Sequence, residues 1–65
     1  MYGKRIRELR LEKGMSQEQL AKILNTTQKT VSKYELEALD LGTQQIIALC
    51  KFFEISADYL LGLIE

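Results

Sequence analysis

Two segments with the apolar spacing of amphipathic helices, about 17–24 and 28–35, are separated by only Asn25, Thr26 and Thr27. A connection of three residues, with an Asn that tolerates the left-handed conformation, makes the two helices cross steeply. Ala21 suits such a crossing, because a larger side chain there would push the helices apart. Val31 is placed to lie against that surface. An ordinary helical hairpin is the alternative.

The remaining boundaries are written in one repeated signal: a small polar residue or Gly as N-cap, an apolar residue before it and another at the fourth helical position. Met15-Ser16 with Leu20 starts a helix at Gln17, and Gln19 completes a capping box. Leu41-Gly42 with Ile46 and Ile55-Ser56 with Leu60 start two more, while Thr27 with Val31 starts a helix at Gln28. Gly14, Asn25 and Gly62 supply left-handed stops. The expectation is all-α: five short helices, no strands and one domain over residues 1–65. Their buried stripes are Ile6 and Leu9; Leu20, Ala21 and Leu24; and Ile46, Leu49, Cys50 and Phe53.

A chain of 65 residues buries only about 60% of its unfolded surface, so little is left over for a catalytic layer or a large cleft. With no His there is no imidazole base, no Ser-His or Cys-His pair and no ordinary zinc set. No enzyme, cofactor or metal is expected. Cys50 is the only thiol, read as a buried, inert residue in a reducing cytoplasm. The longest apolar run, residues 46–50, falls far short of the roughly 20 needed to span a bilayer, and charges interrupt residues 6–10 where a signal peptide would need an apolar core.

Formal charge sums to zero but is polarised along the chain. Up to Glu35, eight cations (Lys4, Arg5, Arg7, Arg10, Lys13, Lys22, Lys29 and Lys33) face four anions, giving +4; beyond it Lys51 stands against Glu37, Asp40, Glu54, Asp58 and Glu65, giving −4. A basic face for a polyanion would produce this layout, as would plain solvated helix surfaces.

With Val31 turned inward, the opposite face of the 28–35 helix carries Gln28, Lys29, Ser32 and Lys33. It has no carboxylate. Gln can bond bidentately to adenine, Lys can donate to guanine or phosphate, and Ser accepts either role, so the face suits major-groove reading. The same residues are ordinary on a solvated helix. The first amides of the 17–24 helix, with the Gln17 side chain, suit a phosphate oxygen at the positive end of the helix dipole.

Ile6-Arg7-Glu8-Leu9-Arg10, Lys13 through Ala21, Val31-Ser32-Lys33-Tyr34-Glu35 and Ile55 through Gly62 together resemble the lambda-repressor-like helix-turn-helix family, also called the Cro/repressor or xenobiotic-response-element type. Thr26-Thr27-Gln28 resembles the turn and first recognition residue of lambdoid phage repressors. The resemblance implies a compact five-helix domain whose third helix enters the major groove. By position, Gln28, Lys29, Ser32 and Lys33 stand at base-reading sites, and Ser16, Gln17, Thr27, Thr43 and Gln44 near phosphate-contacting ones. Arg10 and Glu35 stand where family members pair helix 1 with the end of helix 3. The chain departs from the family pattern in three ways. Leu36-Glu37 replaces the usual Asn-Gly, so that 35–40 can extend the helix by a turn. Glu37 and Asp40 put carboxylates in a loop that is often basic, which would weaken binding near a duplex. Leu41 replaces a common Pro and is explained by its staple to Ile46.

The function these features imply is a sequence-specific, double-stranded DNA-binding transcriptional regulator, expected to be a repressor and to work in the cytoplasm. One module covers little DNA, so a homodimer on a palindromic site with half-site centres about 34 Å apart is expected. Tyr59, Leu60, Leu63 and Ile64 are its expected interface. A different class is an antitoxin or protein-interaction module that holds a partner through the 36–40 loop, where Leu36 and Leu39 are expected to be exposed with Leu63 and Ile64.

Overall fold

A computed structural model describes residues 2–64. Its helices are α1 (Tyr2–Glu12), α2 (Gln17–Ile23), α3 (Gln28–Glu35), α4 (Thr43–Phe53) and α5 (Ala57–Leu60), with no strand among the described residues. Every expected start holds. Ser16, Thr27 and Ser56 accept from the backbone amides of Gln19, Thr30 and Tyr59, and Ser16 with Gln19 forms the full capping box. Gly42 caps α4 without a side chain.

The stops share one geometry. Gly14, Asn25, Glu37, Glu54 and Gly62 all have positive φ and terminate α1 to α5 in turn. At the end of α2, Thr26 N donates back to Ala21 O; at the end of α3, Ala38 N donates to Lys33 O and Glu37 N to Tyr34 O. These bonds satisfy carbonyls that a helix end would otherwise leave open. Helix α3 therefore stops at Glu35, and the extra turn considered for 35–40 does not form.

The core gathers Ile6, Leu9, Leu20, Ala21, Leu24, Val31, Tyr34, Leu49, Phe53 and Leu60. Val31 is wholly buried and Ala21 almost so, which lets α3 cross closely over α2, while α3 also packs on α1, and α5 on α1 and α4. Cys50 is half-buried at the core's margin rather than sealed inside it. Leu36, Leu39, Leu63 and Ile64 are exposed as expected, joined by Leu11, Ile23 and Ile47. None of the helices among the described residues is long and apolar enough to cross a membrane.

Candidate nucleic-acid interface

The site is organised by a charge that the fold hides. Arg10 leaves α1 and meets Glu35 at the last turn of α3: Nε donates to Oε2 at 2.7 Å and Nη2 to Oε1 at 3.1 Å. The two side chains are 10% and 3% exposed. Arg10 Nη1 donates to the Met15 carbonyl at 2.8 Å, so the guanidinium ties α1, the turn before α2 and the end of α3 together. The hydrogen bond to Glu35 holds the Arg10 pKa above its ordinary value, against a lowering by burial and with help from the carboxylate's charge.

Gln17, first residue of α2, extends this pair towards the surface. Its Nε2 donates to Glu35 Oε1 at 3.1 Å, and its Oε1 accepts from Gln28 Nε2 at 2.6 Å. A continuous chain therefore runs from Arg10 through Glu35 and Gln17 to Gln28, the first residue of α3. Beside it lies a shallow recess of about 370 Å³ lined by Arg10, Ser16, Gln17, Glu18 and Gln28. The short crossing between α2 and α3 is what brings residues 17 and 28 together.

Gln28, Lys29 and Lys33 are exposed on α3 and Ser32 is half-buried beside them. Neither lysine is in an ion pair among the described residues. Ser16 and Thr27 are occupied in capping α2 and α3, and the Thr27 hydroxyl also shares a hydrogen bond with that of Thr30 at 3.0 Å. Thr43 and Gln44 are exposed on the first turn of α4. Of the four residues expected at a dimer interface, Tyr59 is half-buried beneath the Arg5 guanidinium, 4.1 Å from its ring centroid, and Leu63 and Ile64 are exposed. Leu60 has no accessible surface and belongs to the core, because its place as the fourth residue of α5 is also the inner arm of the staple to Ile55.

Glu37 and Asp40 have partners on α1. Gly3 N donates to Glu37 Oε2 at 3.1 Å and the Tyr2 hydroxyl to Asp40 Oδ1 at 3.0 Å. Nothing in the local pattern signalled these contacts, nor that of Gln17 with Glu35.

This architecture, five helices with a tight α2–α3 crossing, is the lambda-repressor-like fold, and the helix-turn-helix family model matches residues 6–60. The chain belongs to that family. It is 37% identical over 60 residues to the HTH-type transcriptional regulator ImmR of Bacillus subtilis, covering 92% of this chain and 47% of ImmR. It is 31% identical to the uncharacterized HTH-type transcriptional regulator YobD of the same organism, covering all of this chain and 58% of YobD. The chain thus spans about half the length of these relatives. Among solved structures, the P22 c2 repressor in complex with the synthetic operator 9T superposes with a TM-score of 0.86 at 28% identity, over 92% of this chain and 91% of that one.

Proposed function

We propose that this chain binds double-stranded DNA sequence-specifically and regulates transcription, acting in the cytoplasm as a repressor that occupies an operator and blocks access to it. The observation that carries this is the Gln17–Gln28 contact at the mouth of the α2–α3 crossing, set beside a carboxylate-free row of Lys29, Ser32 and Lys33. A fold shared with a repressor in complex with an operator supports it.

In this reading α3 lies in the major groove, and Gln28, Lys29, Ser32 and Lys33 face the base edges. Gln28 arrives with its amide already oriented by Gln17, so less side-chain freedom is lost on binding. Phosphates meet Ser16, Gln17 and Thr27, and the first turn of α4 at Thr43 and Gln44, where free amides and a positive dipole end favour an anion. These contacts fix register, and the α3 side chains supply sequence choice. No bond is made or broken.

Two copies on a palindrome, with half-site centres about 34 Å apart, would double the contacted surface. Tyr59, Leu63 and Ile64 form the proposed interface. Gln28→Ala tests the base-reading role: the expected loss is about 1–3 kcal/mol on the preferred site, with one base position relaxed. Equal weakening on every sequence would remove Gln28 from the reading set. Sedimentation with and without operator tests the dimer, and monomer under both conditions would contradict it.

A further inference from the structure

Glu37 stands where a glycine would be strain-free, since its φ of 57° lies in the left-handed region. Its carboxylate nevertheless has a definite use. Oε2 accepts from the amide of Gly3, in the first turn of α1, where backbone donors have no partner within their own helix. The approach is close: a Cβ on Gly3 would lie 2.4 Å from the Glu35 carbonyl oxygen, 2.9 Å from that of Tyr34 and 2.7 Å from Glu37 Cγ. Only glycine lets α1 sit directly on the end of α3. A second tether, from the Tyr2 hydroxyl to Asp40 Oδ1, closes the same contact three residues further on.

The clasp explains an otherwise awkward charge pattern. Carboxylates in the segment between a DNA-reading helix and the next would repel a duplex, yet both carboxylates of the 36–41 segment are engaged by α1. We infer that Glu37 is a positioning residue for DNA recognition. By fastening the end of α3 to α1 it fixes the 36–41 segment, and so the place of the α4 first turn (Thr43 and Gln44) relative to Gln28 and Lys33. A segment ordered in advance does not have to be ordered at binding. This inference rests on the DNA-binding reading above.

Glu37→Gly is the decisive variant, because it suits the left-handed backbone and keeps the helix stop while removing the tether together with the carboxylate's charge. Glu37→Gln keeps an acceptor without the charge. Affinity of the full chain for a duplex enriched by selection would be measured at several salt concentrations, alongside thermal unfolding and hydrogen exchange of the Gly3 amide. The expected result is about fivefold weaker binding by Glu37→Gly, the loss of one hydrogen bond's worth of fixing. Its salt dependence should be unchanged, its unfolding temperature undiminished and its Gly3 amide less protected, with Glu37→Gln within about twofold of the parent. Binding by Glu37→Gly as tight as the parent's or tighter, with a steeper salt dependence, would overturn the positioning role and leave Glu37 as a mere repulsive charge. Failure of the parent chain to bind any selected duplex would overturn both this inference and the DNA-binding reading.

Discussion

Gln28 and Gln17 are joined by a 2.6 Å hydrogen bond across the short α2–α3 connection, and Gln17 is held in turn by Glu35. The first residue of α3 is thereby referred back to the Arg10–Glu35 pair, 25 positions apart in sequence. The proposed base-reading residue and the buried ion pair share one network.

Gln17→Ala should therefore weaken discrimination as well as affinity. It removes the proposed phosphate partner and frees the Gln28 amide, so selectivity between the preferred site and a variant altered at the proposed Gln28 base should fall by about tenfold, or about 1.4 kcal/mol. Competition binding with the two duplexes measures it. An unchanged ratio would show that Gln17 acts on phosphate alone.

Glu35→Ala should be the most damaging single substitution near the site. It leaves the Arg10 guanidinium buried with only the Met15 carbonyl, a change expected to cost about 3–5 kcal/mol. A domain this small has little more than that in total, so chemical denaturation should show a largely unfolded variant. The double variant Arg10→Met, Glu35→Leu should recover most of the loss, since no charge is then stranded.

The helix boundaries were legible because caps act over three or four residues: Ser16 with Gln19, Thr27 with Thr30 and Ser56 with Tyr59 are all i, i+3 pairs. The inward face of α3 was legible for the same reason, and with it the outward face bearing Gln28 to Lys33. The stops at Glu37 and Glu54 were not. Glutamate takes a positive φ only when the surrounding structure holds it there, and at Glu37 the partner, Gly3, is 34 residues away. Asp40 and Glu37 looked like charges that would face a duplex because the sequence does not reveal that α1 supplies donors to both. Leu60 was set at a surface for want of the same long-range information, although its staple to Ile55 already pointed inward.

Lys29→Ala and Lys33→Ala distinguish phosphate from base contacts. Each lysine that neutralises a phosphate should lower the slope of log affinity against log salt by about 0.9 when removed. A lysine that reads a base should instead lower affinity on the preferred site only. Measured slopes identical to the parent's, with no site-specific loss, would place that lysine outside the interface.

Stability should decline in alkali through Tyr2. Burial, the hydrogen bond to Asp40 and the charges of Asp40 and Glu37 raise its phenol above the ordinary 10.0. A raised pKa means the folded state favours the neutral phenol, so its contribution is complete below pH 10.0 and is lost as pH rises through the higher folded value. Thermal unfolding from about pH 9 to about pH 11 should show a steeper fall for the parent than for Tyr2→Phe. Parallel curves would mean that the Tyr2–Asp40 contact does not persist in solution.

Selection of random duplex DNA by the purified chain, at physiological salt with excess nonspecific competitor, is the most direct test of sequence-specific binding. The expected result is an enriched palindrome whose half-sites lie about one helical turn apart, with enrichment abolished or broadened at one base by Gln28→Ala. A folded protein that enriches no sequence would contradict it.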